Sequence, residues 1–225
     1  METKDEYIKN IRLLVTQSEN NIQINDISET ELESIWDELC ATYPNFEIFF
    51  CFNSERMMPN QTIPYDLLKN LNMEKIDDML NFKLRNCIPS KNSDSDISLL
   101  TEDTFDEFAN FHDSRNSGMF WTSARIRQKL DIWRIHILKS CGVITGYSMM
   151  MTTDKNTEIF AIIADNDLEK QAIIQATCND IFSEGRGEVL FMIDADDVVL
   201  QKIAKNIGFK QTGFYQGFQG IVLIV

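Results

Sequence analysis

The sequence predicts a mixed α/β fold, and three observations predict it. Short apolar, β-branched runs at 133–138, 158–164 and 188–194 alternate with stretches whose apolar residues recur at helical spacing. Gly and Pro number only 9 and 4 in 225 residues, so long uninterrupted elements are expected. The chain is 44% apolar and 25% charged, a composition that supports a packed core without a disulfide or metal staple.

The first elements lie at 31–43, a helix with Leu32, Ile35, Trp36, Leu39 and Cys40 on one side, and at 46–52, a strand. They echo the end of the chain. EIFFCF at 47–52 stands beside EVLFMI at 188–193, and Lys69 and Asn70 in the segment 67–80 match Lys205 and Asn206 in 203–216. Helix, strand, helix, strand recurs in the same order. Residues 1–90 are therefore expected to form a smaller, degenerate half-copy of residues 96–225. In it, 46–52 and 75–84 are strands that correspond to 188–194 and 211–218. Between the two parts, 86–96 (NCIPSKNSDSD) is polar and aperiodic and contains Pro89, which predicts a linker with a boundary near Lys91.

After the linker, 96–100 reads as a strand. Thr101 or Asp103 caps a helix carrying Phe105, Phe108, Ala109 and His112 on one side. A loop at 114–120 leads to a second helix from Thr122. The strands 133–138 and 143–151 form a hairpin through Ser140-Cys141-Gly142. The strand 158–164 precedes the helix 168–182, which turns Ile173, Ile174, Thr177, Cys178, Ile181 and Phe182 inward and stops at Gly185 and Gly187. Strand 188–194 follows, then a helix at 196–207 with Val199, Leu200, Ile203 and Ile207 inward. Gly208 closes it, and 211–225 holds one or two final strands.

Charge narrows the function. With 21 Lys+Arg against 35 Asp+Glu the net charge is −14, and residues 1–90 and 91–225 are both acidic. A phosphate backbone or an anionic membrane face needs the opposite sign, so neither nucleic acid nor membrane is an expected partner. No apolar run reaches the ~18 residues of a membrane span. The acidic start METKDEYIKN has no apolar signal region, and the five cysteines are scattered without ligand spacing. A reduced cytoplasmic protein without a metal is the expectation. The acids at Asp194, Asp196 and Asp197 read as helix capping, and Met149-Met150-Met151 reads as strand core.

Three local signatures, in order, carry a resemblance. They are the hairpin Gly142-Val143-Ile144-Thr145-Gly146-Tyr147, the strand Glu158-Ile159-Phe160-Ala161-Ile162-Ile163, and Ile203-Ala204-Lys205-Asn206-Ile207-Gly208-Phe209 followed by Gly213-Phe214-Tyr215. Residues 96–225 resemble the GNAT N-acetyltransferase superfamily. The resemblance implies a parallel pair, 159–163 and 188–193, splayed at its C-terminal ends with helix 168–182 crossing between. Acetyl-CoA, as co-substrate, would lie in that V, its thioester carbonyl at the backbone of Ile162 and Ile163. Its pyrophosphate would meet the segment 169–174, through Lys170, Gln171 and Ala172, with Asp197 where an asparagine contacts the cofactor arm. Ile174 stands where the motif has a small residue, and Asp165, Asp167 and Glu169 crowd the helix start, where they suit its dipole. Ala204 stands where the family often has a tyrosine acid, a role that Tyr147 or Tyr215 could take; Tyr215 is carried as the catalytic candidate.

Glu158 is the general-base candidate, because an amine of pKa ~10 must lose a proton before it attacks a thioester. His112, Trp121 and Tyr147 are the substrate-side candidates. The implied activity is direct acyl transfer to an amine of a small molecule or peptide, by a monomer or homodimer. An acidic surface favours a cationic acceptor such as a polyamine, an aminoglycoside or a lysine side chain. The alternative is a non-catalytic module of the same fold, a regulatory or interaction protein that has lost acetyl-CoA binding.

Overall fold

The computed structural model describes residues 3–25, 27–54, 73–85, 96–116, 120–153 and 157–222. In chain order the elements are β1 (Lys4–Ile8), β2 (Ile11–Thr16), β3 (Asn21–Ile24), α1 (Glu29–Thr42), β4 (Glu47–Ser54), β5 (Glu74–Leu84) and β6 (Asp96–Leu99). Then come α2 (Glu102–Arg115), α3 (Ser123–Arg127), β7 (Trp133–Ser140), β8 (Val143–Thr152), β9 (Thr157–Ala164), α4 (Asp167–Ser183), β10 (Val189–Asp194), α5 (Val198–Ile207) and β11 (Lys210–Ile221). The fold is mixed α/β, as the alternation of periods predicts. Two compact units divide it: 1–81 with 212–225, and 82–211. The linker segment 86–95 and the patterned residues 67–72 lie outside the described residues.

The first unit begins with a hairpin absent from the sequence reading. Lys9 and Asn10 both take positive φ, 46° and 71°, in the two-residue turn that pairs Ile8 with Ile11. The strand order is β1-β2-β3-β4-β11-β5. β1/β2 and β2/β3 are antiparallel, and β3/β4 is parallel with α1 as its crossover. Ser28 and Glu31 cap α1 reciprocally: Ser28 Oγ accepts from Glu31 N–H, and the Glu31 carboxylate accepts from Ser28 N–H at 2.8 Å. The α1 face carrying Leu32, Ile35 and Leu39 packs with Leu13, Val15, Ile22, Ile24, Ile48 and Phe50. Phe218 of β11 stacks on Phe50, with ring centroids 5.5 Å apart. The segment 75–84, expected as strand, is β5.

In the second unit the strand order is β10-β9-β8-β7-β6. All pairs are antiparallel except β9/β10, which is parallel with α4 as its crossover. Cys141 and Gly142, at φ 52° and 79°, make the β7–β8 turn where the sequence places it. Odd-numbered residues Trp133, Ile135, Ile137, Tyr147 and Met149 pack with Phe105, Phe108 and Ile126 of α2 and α3. Arg134, His136 and Ser148 face α4 instead. Arg134 Nε meets Asp180 at 2.5 Å, His136 Nε2 meets Asp180 at 3.2 Å, and Ser148 bonds Thr177. Burial lowers the His136 pKa despite that carboxylate, since a dry site disfavours the imidazolium.

One expectation is corrected. Val199 is 47% exposed and does not point inward; Gln201 is buried instead and donates to the carbonyls of Asp194 and Ala195, both at 3.0 Å. Over the described residues the final segment is one twelve-residue strand, β11, the first of the two forms expected.

Candidate active site

β9 and β10 are both long enough to pair throughout, yet their parallel ladder has two rungs, Leu190↔Glu158 and Phe191↔Ile159. From Phe160 to Ala164, β9 runs on without a partner on that side. The two strands splay towards their C-terminal ends, as expected. A β-bulge accompanies the parting. Met150 opposes Ile159 and Met149 opposes Ala161, so Phe160 is an extra residue in β9. A bulge bends and twists its strand and re-aims the inserted side chain. It also shifts the phase of everything beyond it. Ile163, opposite Tyr147, shares a face with Glu158, and Ile162, opposite Ser148, faces α4. Both are half-buried.

On its other edge β9 is held tightly. A Cβ on Gly146 of β8 would lie 2.7 Å from the Ile163 carbonyl oxygen and 3.0 Å from Ala164 Cβ. Only glycine permits that approach. The open backbone of β9 is thus a fixed row of donors and acceptors whose partners must come from solvent or a ligand.

Glu158 stands at the base of the splay. Trp133, Met151, Glu158 and Leu190 form one row across four strands, so Glu158 faces the α2/α3 side beside apolar neighbours. Burial raises its pKa above the ordinary glutamate range. Phe160 contacts Trp133 edge-on at 5.4 Å, Trp133 contacts Trp121 at 5.0 Å, and Trp121 contacts Phe120 at 5.3 Å. Trp121 thus stands one ring away from Phe160.

His112 and Tyr147 hold that wall in place. Both are buried, at 2% and 0% exposure. His112 Nε2 lies 2.7 Å from the Trp121 carbonyl, which only accepts, so Nε2 carries the proton and Nδ1 accepts from the Tyr147 hydroxyl at 2.8 Å. Asn116 Nδ2 donates to the same hydroxyl at 2.9 Å. Burial pushes the Tyr147 phenol up to about 12. The pair is saturated by its own partners and fixes the loop that carries Trp121. Ser123 N–H and hydroxyl both donate to Asp113, at 2.9 and 2.5 Å, and clamp the start of α3.

The helix start after β9 is α4. Its first-turn N–H groups belong to Asp167, Leu168 and Glu169, whereas Ala172 lies deeper in the helix and Ile174 is fully buried. Asn166 Oδ1 accepts from Glu169 N–H at 3.0 Å, and the Glu169 carboxylate accepts from Asp165 N–H at 3.2 Å. Asp165 pairs with Arg115 at 3.1 Å. Two of the three acids at this terminus are therefore engaged. Lys170 and Gln171 are half-buried on the following residues. Asp197 caps α5 by accepting from Leu200 N–H at 2.8 Å. Tyr215 lies in the first unit, opposite Asn53 on β4. Burial, with Cys51 and Asp77 beside it, raises its pKa far above the ordinary phenol value. Among the described residues, no three His, Cys, Asp or Glu side chains converge as metal ligands, and no helix is long and apolar enough to cross a membrane.

Phe160, Arg115 and Asn116 were not legible as site residues. The broken alternation of EIFAII was the one available sign of the bulge.

No family model matches the sequence, and no curated protein matches it. Solved structures do. A functionally unknown conserved protein from Staphylococcus epidermidis ATCC 12228 superposes with a TM-score of 0.66 at 12% identity, over 97% of this chain and 94% of that one. An acetyltransferase of the GNAT family from Colwellia psychrerythraea gives 0.59 at 12% identity, over 96% and 84%. A tandem GNAT protein from the clavulanic acid biosynthesis pathway gives 0.63 at 9% identity, over 96% and 79%. At such identities the likeness is one of architecture, and it agrees with the two-rung parallel pair and its crossing helix: the chain has the fold of the GNAT N-acetyltransferases.

Proposed function

We propose that the protein is an acyl-CoA-dependent N-acyltransferase that acts on an amine of a small molecule or peptide. The observation that carries this reading is the parted β9/β10 pair, with its bulge at Phe160 and its unpartnered backbone from 160 to 164. That backbone suits the thioester end of acetyl-CoA, whose activated acyl group is what the co-substrate supplies. Towards the pyrophosphate the fit rests on the N–H groups of Asp167 and Leu168, the Lys170 ammonium, and Gln171 and Ala172 behind them. Arg115, by pairing with Asp165, offsets part of the negative charge there.

Glu158 takes the proton of the attacking amine, directly or through one water. The acceptor nitrogen forms a bond to the thioester carbonyl carbon as the carbon–sulfur bond breaks. The thiolate leaves and gains a proton. No covalent enzyme intermediate is needed. Glu158 suits the role because burial raises its pKa towards the working pH. Asp197 is proposed more narrowly, as a contact to the cofactor arm; Tyr215 belongs to the first unit and is given no role at this site.

A second reading, a non-catalytic module, draws on one observation. Glu169 and Asn166 already occupy donors at the α4 terminus. Calorimetric titration of acetyl-CoA separates the two. Micromolar binding that weakens tenfold or more in Lys170→Glu supports the enzyme. No heat and no thermal shift at millimolar acetyl-CoA supports the module; at one hundred times Kd, binding should stabilise by about 2.7 kcal/mol.

A further inference from the structure

We infer that Phe160 sets acceptor specificity, and that the acceptor is a primary amine on an aromatic or bulky apolar body. Glu158 receives the nitrogen and Phe160 the body. This rests on the transfer reading above and narrows it.

The bulge is the starting point. It inserts a large aromatic residue into a central strand and leaves it 39% exposed. Exposed apolar area is unfavourable, at about 25 cal/mol per Å², and a bound apolar group would cover it. Phe160 is also the free end of the aromatic row. Trp133 is 5% exposed and held between Trp121 and Phe160. At the far end, the Arg125 guanidinium sits 4.1 Å over the Phe120 ring and donates to the Phe120 carbonyl. Phe160 meets Trp133 edge-on and keeps exposed surface of its own.

Glu158 lies two residues earlier on the same face, roughly 7 Å along the strand. A carboxylate beside an exposed ring matches a molecule with an ammonium at one end and an apolar group a few ångströms away. The same geometry selects against a polyamine. In the row that holds Glu158 the neighbours are Met151, Trp133 and Leu190, all apolar, and a distal ammonium would find no second carboxylate among them. A desolvated, unpaired charge is costly.

The test uses 2-phenylethylamine and putrescine with acetyl-CoA, on wild type, Phe160→Ala and Phe160→Leu, together with calorimetry of 2-phenylethylamine alone. Wild type should favour 2-phenylethylamine over putrescine by tenfold or more in kcat/KM. Phe160→Ala should bring that ratio towards one, chiefly through a higher KM, and Phe160→Leu should restore part of it. A wild-type ratio of one or below overturns the inference, as does a Phe160→Ala enzyme with its selectivity intact. If no amine is acetylated but 2-phenylethylamine binds in a Phe160-dependent way, the specificity inference stands and the transfer reading falls. If 2-phenylethylamine does not bind wild type at millimolar concentration, the inference falls whatever the transfer assay gives.

Discussion

The two units run through the same topology and end it differently. In the first, β1-β2-β3 are antiparallel, α1 crosses over, and β4 joins β3 in parallel. In the second, β7-β8-β9 are antiparallel, α4 crosses over, and β10 joins β9 in parallel. The difference is in the parallel pair. β3 is paired along its whole length, from Asn21↔Glu47 to Ile24↔Phe50, and Ile22, Ile24, Ile48 and Phe50 are fully buried. β9 is paired for two residues, then bulges and parts, and Ile162 and Ile163 are left half-buried. One arrangement spends its parallel pair on core; the other keeps backbone groups free. A fold thus supports either scaffold or site according to whether one ladder closes.

The contrast breaks most visibly in the closed pair. Phe50→Ala removes a fully buried ring stacked on Phe218 and edge-on to Phe52. The expected loss is about 3–5 kcal/mol in urea unfolding. If the closed pair is scaffold only, the acetyl-CoA Kd of the folded variant should match wild type. A tenfold weaker Kd would mean that this unit also contributes to binding.

In the open pair the largest effect should be catalytic. Glu158→Gln should lower kcat about 100-fold near neutral pH with the acetyl-CoA Kd little changed. Burial favours the protonated carboxyl in the folded state, so wild-type kcat/KM should have an acidic limb above the ordinary glutamate range, absent from the variant. Stability should move the other way. The fold binds more protons at Glu158 than the unfolded chain does, so wild-type stability falls as pH rises through the window between the ordinary and raised pKa values. Glu158→Gln should therefore have the higher Tm at pH 7–8, and the gain should vanish below the ordinary glutamate pKa. A variant with full activity removes Glu158 from the mechanism.

Gly146→Ala probes what holds the open strand in place. The added Cβ meets the Ile163 carbonyl oxygen and Ala164 Cβ, both parts of β9 rather than a flexible side-chain end. Overpacking of this kind costs about 1–3 kcal/mol. Weaker acetyl-CoA binding in the folded variant would tie the position of β9 to the site; an unchanged Kd would separate them.

Much of this was legible in the sequence, for a physical reason. The hairpin at Cys141-Gly142, the strands at 158–164 and 188–194 and the helix between them are local patterns of burial and turn chemistry. Glu158 stands out because a charged residue opens a buried strand. What was missed depends on register. β1 to β3 are short, and β1 is mostly exposed, so its alternation carries little apolar signal. The bulge at Phe160 arises from how β8 and β9 align, and it exchanges the faces that Ile162 and Ile163 would otherwise take. His112 and Tyr147 were named singly as substrate contacts, yet each is the hydrogen-bond partner of the other across 35 residues.

The smallest effect sharpens the comparison at its most similar point. Ser28 and Asn166 cap the two crossover helices with one chemistry. Each side chain accepts from the N–H of a glutamate three residues on, Glu31 or Glu169, and that glutamate returns a bond to the backbone at the cap or one residue before it. Ser28→Ala and Asn166→Ala should therefore each cost about 1 kcal/mol. Their functional consequences should diverge, because only α4 starts beside an open pair. Asn166→Ala releases the Glu169 N–H and loosens the Glu169 carboxylate at a terminus proposed to face a pyrophosphate. The freed donor favours the anion, and a Glu169 side chain swinging towards it opposes it. Asn166→Ala combined with Glu169→Gln keeps the first effect and removes the second. That double variant should bind acetyl-CoA several-fold more tightly than wild type, whereas Ser28→Ala combined with Glu31→Gln should leave the Kd where it was. Equal Kd values in wild type and both double variants would mean that the α4 terminus, like that of α1, only caps a helix.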